Sequence, residues 1–154
     1  MGDYYADSSV LVKRHVLERG AAWFQSLADP VAGHLIVTAR ISMVEVYSAL
    51  NRRLREAQLS TQDYAQIATD FAEICASEYE IIELSTTVIE RARLLLERHP
   101  LRAYDAVQLA SALIADNALQ SAGFPSLIFL AADERLLVAA RAEGLMTDDP
   151  NAHP

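Results

Sequence analysis

Two hydrophobic rhythms alternate along the chain. Short apolar runs rich in aromatic and β-branched residues predict strands: "DYYAD" at 3–7, "HLIVT" at 34–38, "YEIIEL" at 79–84, "SLIFLA" at 126–131 and the brief "LMT" at 145–147. Between them, apolar residues recur at helical spacing. In "ISMVEVYSALNRRLREA", 41–57, they fall at 43, 46, 47, 50 and 54, which is one face of a helix. Further helices are predicted over 19–28, 60–77, 85–98, 102–120 and 133–144, with a helical turn from Ser8. "DP" at 29–30 and "HP" at 99–100 are stops, Ser60 or Thr61 and Ser85 are starts, and Gly144 stands just past the last helix. The 41–57 and 60–77 helices are expected to pair as a hairpin. Strand and helix in alternation predict an α/β fold, a parallel sheet of four to five strands with helices on both faces. The unbroken apolar character of "SLIFLA" fits a strand buried on both sides.

Composition narrows the class. The chain has 154 residues and is 52% hydrophobic, enough for one domain with a sizeable core. We expect a single domain over 1–147 and a C-terminal tail over 148–154. The longest apolar run, "LIFLAA" at 127–132, is too short to cross a bilayer, so no membrane association is expected. The start, "MGDYYADSSVLVK", lacks the basic opening and long apolar stretch of a signal peptide. A lone cysteine, Cys75, excludes an internal disulfide, and a reducing cytoplasm is the expected compartment. Cys75 itself reads as a small core residue. The net charge of −8 argues against broad, non-specific binding to a polyanion. It leaves open an acidic site that meets phosphate through divalent ions.

Four acids have suggestive positions. Sites in parallel sheets form beyond the carboxyl ends of strands. Asp7 ends the first predicted strand, and Asp133 lies just past the fourth. With Asp105 as zero, the apolar residues that follow it on its helix cover an arc of roughly 40° to 200°. Asp105 therefore borders the apolar face, and Glu45 does the same on its own helix. Each acid also has a plain structural reading. Asp7 and Asp133 suit N-caps, Ser42-x-x-Glu45 matches a capping box, and Asp105 in a first turn favours the helix dipole.

The segments "YYADSSVLVK", "ISMVEVYSAL", "LRAYDAVQLASAL" and "FLAADERLLVAARAEGL" resemble, in order and spacing, the signature segments of PIN-domain ribonucleases, above all the VapC-type toxins of bacterial toxin–antitoxin pairs. The resemblance runs from Tyr4 to about Met146. It implies a PIN-like three-layer α/β/α fold. It also implies that Asp7, Glu45, Asp105 and Asp133 are metal-binding acids of a Mg²⁺- or Mn²⁺-dependent endoribonuclease, with Ser9 a hydroxyl near the site. Water would attack, leaving a 5′-phosphate and a 3′-hydroxyl. The implied partners are RNA, a second copy in a homodimer, and a cognate antitoxin. The antitoxin's C-terminal segment would lie along the 41–77 hairpin and present a basic side chain to the acids. The sequence departs from the pattern at Ala131, where many relatives carry Ser or Thr.

The chemistry explains such a gathering. Hard divalent cations prefer oxygen ligands, and close carboxylates without a cation raise one another's pKa. Lys13, Arg14, Arg52, Arg102 and Arg135 flank the four segments and are candidate phosphate contacts, with Arg52 and Arg102 ranked first. The four histidines, at 15, 34, 99 and 153, show no paired metal spacing. A phospho-receiver would want Asp after its third strand, where this chain has "IIELS". A haloacid-dehalogenase-type enzyme would want two acids one residue apart where this chain has "DSS". The remaining alternatives are a PIN-like RNA- or protein-binding module with weak or no catalysis, and a nuclease acting on DNA.

Overall fold

The computed structural model describes residues 2–154. Its elements run β1 (Asp3–Ala6), α1 (Ser8–Leu11), α2 (Ala21–Ala28), β2 (Leu35–Ala39), α3 (Ile41–Arg55), α4 (Thr61–Ser77), β3 (Tyr79–Ile82), α5 (Thr86–Arg98), α6 (Ala103–Ser121), β4 (Ile128–Leu130), α7 (Glu134–Ala142) and β5 (Met146–Asp148). A 3₁₀ turn, Val12–Arg14, extends α1. All five expected strands form, each differing from the predicted run by a residue or two at its ends. They make one sheet of order β3-β2-β1-β4-β5, parallel at every pairing.

Alternation along β1 shows why the sheet is covered on both sides. Tyr5 enters one core, with Leu95 of α5, Leu109 of α6, Phe129 of β4 and Leu136 of α7. Ala6 and Tyr4 face the other, with Leu11, Phe24, Leu50 and Phe71 from α1 to α4. Neighbouring residues of a strand point to opposite faces, so one strand contributes to two cores. The result is the expected α/β/α three-layer fold. Tyr5 and Phe129 stack across the β1–β4 pair at 5.4 Å. Each fully buried Leu or Phe contributes about 1.5–3 kcal/mol relative to exposure.

The connection after β1 leads to β2 on one side, and the one after β4 leads to β5 on the other. The crevice between β1 and β4 is thus the topological switch point, where open parallel sheets leave room for a ligand.

Two expected phosphate contacts are spent on the scaffold instead. Lys13 is buried, and its Nζ donates to Glu18 (3.1 Å), to the Arg19 carbonyl (2.7 Å) and to Asn151 Oδ1 (2.9 Å). Arg14 pairs with Glu78 at 2.5 Å and donates to the Tyr79 hydroxyl. Both sit on the 3₁₀ turn that leads away from the crevice, where a carboxylate is already in reach. Residues after β5 fold back on the domain: Pro150 is buried and His153 stacks on Trp23 at 4.3 Å. Cys75 is half-buried against the second core, and burial pushes its thiol up to about 11, which suits an inert packing residue. Among the described residues, no helix is long and apolar enough to cross a membrane.

Candidate active site

Asp7 follows β1 directly and is buried, 5% exposed. Its Oδ1 accepts from the Ser9 hydroxyl (2.6 Å) and from the Val10 N–H (3.1 Å), so it does cap α1. Ser9 also accepts the Ala132 N–H at 3.2 Å. One hydroxyl thereby ties the end of β1 to the loop after β4, on which Asp133 stands. Ala131, the departure from the family pattern, is fully buried, and the bridge from Ser9 supports that loop.

Glu45 does not act as expected of a capping box. Helix α3 begins at Ile41, its N-cap Arg40 makes no side-chain cap bond, and Ser42 lies inside the helix, fully buried. The Ser42 hydroxyl turns to the core instead of to a helix end. It shares a 2.8 Å hydrogen bond with the Thr38 hydroxyl, which donates to the Ala6 carbonyl at 2.7 Å. Glu45 Oε1 accepts from Gln108 Nε2 at 2.7 Å. Gln108, one turn after Asp105 on α6, also donates to Ser42 Oγ (2.9 Å) and accepts from the Tyr5 hydroxyl (2.5 Å). Its buried amide joins α6, α3 and β1, and holds the carboxylate at the crevice.

Burial and mutual repulsion mark three of the acids as a group. Burial is the main cause that raises the Asp7 pKa to about 7; the bonds from Ser9 and Val10 oppose it, and Glu45 and Asp105 add to it. Burial likewise raises Glu45, with Gln108 and Ser8 opposing and Asp105 adding. Asp105, half-buried, is raised by burial and by Asp133, while Arg102 and Arg135 pull it down. Asp133 is exposed, and its Oδ1 caps α7 through the Arg135 N–H at 2.9 Å. The structure therefore gathers Asp7, Glu45 and Asp105, and leaves Asp133 at the rim beside Asp105. None of the three gathered acids forms an ion pair within the described protein.

Beside Glu45 opens a cleft of about 490 Å³, lined by Ser8, Ser9, Val44, Arg52 and Tyr104 among others. Arg52, two helical turns beyond Glu45 on α3, reaches this cleft, and Arg102 and Arg135 flank Asp105. Sequence reasoning did not single out Gln108 or Tyr104. The available signal for Gln108 was an amide within the otherwise apolar run of α6.

Among the described residues, no three His, Cys, Asp or Glu side chains are set to hold a metal ion as they stand. The donor chemistry nonetheless fits a hard divalent cation: carboxylate oxygens only, unneutralised, and repelling one another.

The PIN domain family model matches residues 4–142. Ribonucleases VapC45 and VapC49 of Mycobacterium tuberculosis are each 33% identical to this chain over 140 residues, 91% of this chain and 90% of theirs. Among solved structures, VapBC2 from Rickettsia felis bound to a promoter DNA fragment aligns with a TM-score of 0.62 and 14% identity, over 96% of this chain and 98% of that one. Mycobacterium tuberculosis VapC20, a toxin that cleaves the sarcin–ricin loop, aligns with a TM-score of 0.60 and 17% identity, over 93% of this chain and 96% of that one. At such identities the structural likeness speaks for the fold. The family match over most of the chain, joined to the 33% identity with whole VapC ribonucleases, carries the assignment: this chain belongs to the PIN domain family, among its VapC ribonucleases.

Proposed function

We propose that this chain is a divalent-metal-dependent endoribonuclease that hydrolyses RNA phosphodiester bonds, and that it is the toxin of a toxin–antitoxin pair acting in the cytoplasm. The observation that carries this reading is the meeting of Asp7, Glu45 and Asp105, from three different elements, at the switch point of the sheet, with none of them in an ion pair among the described residues. Such a group is costly to keep charged, and a bound cation would relieve the cost. Mg²⁺ or Mn²⁺ would be held by these three, with Asp133 contributing from the rim. The ion would polarise a phosphoryl oxygen and lower the pKa of attacking water.

The protein's own groups divide the remaining work. Ser9 and the Val10 N–H fix one oxygen of Asp7, and the other makes no hydrogen bond within the described protein. Gln108 fixes Glu45. Arg52, Arg102 and Arg135 would take the phosphates on either side of the scissile bond. A homodimer and a basic antitoxin segment at the acids complete the reading, with residues 1–147 as the catalytic unit and 148–154 as a C-terminal segment that finishes β5 and packs back on that unit.

Cleavage of a structured RNA, with Mg²⁺ or Mn²⁺ against an EDTA control, tests it. Asp105→Asn keeps the shape of the side chain and removes its charge. Cleavage should fall by orders of magnitude, with folding unchanged, RNA binding largely kept and Mn²⁺ affinity reduced by calorimetry. Full cleavage by Asp105→Asn would remove that residue from the site. No cleavage by either protein would favour a binding module without catalysis.

A further inference from the structure

We propose that the cleft beside Glu45 is a nucleotide subsite, in which an unpaired base of the RNA stacks on the Tyr104 ring and an adjoining phosphate meets Arg52. The proposal rests on the nuclease reading and adds a recognition element to it.

Tyr104 directly precedes Asp105 in the first turn of α6. Its side chain is 54% exposed, and its hydroxyl makes no hydrogen bond within the described protein. The ring is therefore not held out by a polar anchor. It lies at the wall of a cleft that also reaches Glu45 and Ser9, next to where the scissile phosphate must sit. Val44, 64% exposed, lines the same cleft and adds apolar surface.

The other wall is written into α3. Glu45, Ser48 and Arg52 all line the cleft and stand at i, i+3 and i+7, one stripe of the helix. Arg52 forms no ion pair among the described residues, whereas its neighbour Arg53 is bound to Glu18 at 2.7 Å. A guanidinium left unpaired on a chain of net charge −8 suits an anion brought by the ligand. An aromatic face, a free guanidinium and a set of acids at one end together match a base, its phosphate and the bond to be cut. The volume, about 490 Å³, lies within the usual range for sites that enclose a small ligand. A paired base could not reach the ring, so the geometry selects RNA whose bases are splayed from the stack. Stacking on a bare ring tolerates any base, so this subsite favours single-stranded character over a particular sequence.

The test uses two readouts. Steady-state cleavage of a short single-stranded RNA gives KM and kcat, and anisotropy of the same labelled RNA in an Asp105→Asn background gives Kd without turnover. Tyr104→Ala should raise both KM and Kd about five- to hundredfold, with kcat changed less than KM. Tyr104→Phe should restore most of the affinity, because stacking needs the ring and not the hydroxyl. Phe124→Ala, which removes an equally exposed aromatic (56%) beside Gly2 and Asp3, at the opposite end of β1 from Asp7, serves as the control and should change neither. An abasic nucleotide walked along the RNA should weaken binding strongly at one position, and that loss should vanish in Tyr104→Ala. Unchanged KM and Kd in Tyr104→Ala would overturn the subsite and leave the ring to protein docking. So would an abasic effect that persists undiminished in Tyr104→Ala. Wild-type protein that binds but does not cleave would instead refute the nuclease reading, while the Kd comparison still decides the subsite.

Discussion

At the scale of single residues, Asp7 serves two opposed ends. It caps α1 through the Val10 N–H, and its burial, with Glu45 and Asp105 adding to it, raises its pKa from 3.8 to about 7. Between those two values the folded state binds more protons than the unfolded chain, so stability falls as pH rises. The contribution is fully present below about pH 4 and lost as pH passes through about 7. A shift of about three pH units corresponds to at most about 4 kcal/mol. Metal-free protein carrying Asp7→Asn keeps an acceptor oxygen for the cap and has no charge to bury. It should melt several degrees above wild type at pH 8, with the gap closing toward pH 5. His15, whose pKa burial lowers, drifts the opposite way, but it is present in both proteins and cancels in the difference. Equal melting temperatures across the range would mean that Asp7 is not buried as a charge. Addition of Mg²⁺ at pH 8 should stabilise wild type more than Asp7→Asn.

At the scale of elements, the alternating pattern made nearly every strand and helix legible, because apolar runs in a covered parallel sheet have few other uses. The strand ends that carry Asp7 and Asp133, and the helix edges that carry Glu45 and Asp105, followed from the same pattern. What the pattern could not show is how the elements are tied together. Ser42-x-x-Glu45 has the letters of a capping box, yet α3 starts two residues earlier than that motif needs, and the Ser42 hydroxyl is claimed by Thr38. Gln108 meets Glu45, Ser42 and Tyr5 from 63, 66 and 103 residues away, separations at which local spacing carries no information. Gln108→Leu tests this tie. It leaves the buried Tyr5 hydroxyl and Ser42 short of a partner, a cost of about 1–3 kcal/mol, and it frees Glu45. Denaturant unfolding should show that loss. Cleavage should lose kcat, while the Kd for RNA in the Asp105→Asn background stays near its starting value. A Gln108→Leu protein with lower stability but undiminished kcat would make Gln108 a core residue only.

At the scale of the whole molecule, an acidic protein that acts on a polyanion must confine its attraction. Arg14, Arg40, Arg53, Arg93, Arg98 and Arg141 are all engaged with carboxylates. Arg52, Arg102 and Arg135, which surround the acids, take part in no ion pair among the described residues. Arg19, Arg55 and Arg91 are likewise outside the ion pairs of the described residues, so half of the unpaired arginines stand around the acidic centre, on a chain whose net charge of −8 otherwise repels RNA. This arrangement limits the number of counterions that binding can release. Three phosphate contacts to single-stranded RNA predict a slope of about −2 for log K against log salt. Removing any one of the three arginines should make the slope shallower by about 0.7, with affinity lowered evenly across RNA sequences. The titration is run on Asp105→Asn protein in EDTA, so that neither cleavage nor metal competition enters. A slope near −5, or one that Arg52→Ala leaves unchanged, would require a broad basic surface. Such a surface would have to recruit Arg19, Arg55 and Arg91, the other arginines without an ion pair among the described residues, so replacing those three should leave the slope unchanged if the molecule finds its RNA through contacts placed at the site itself.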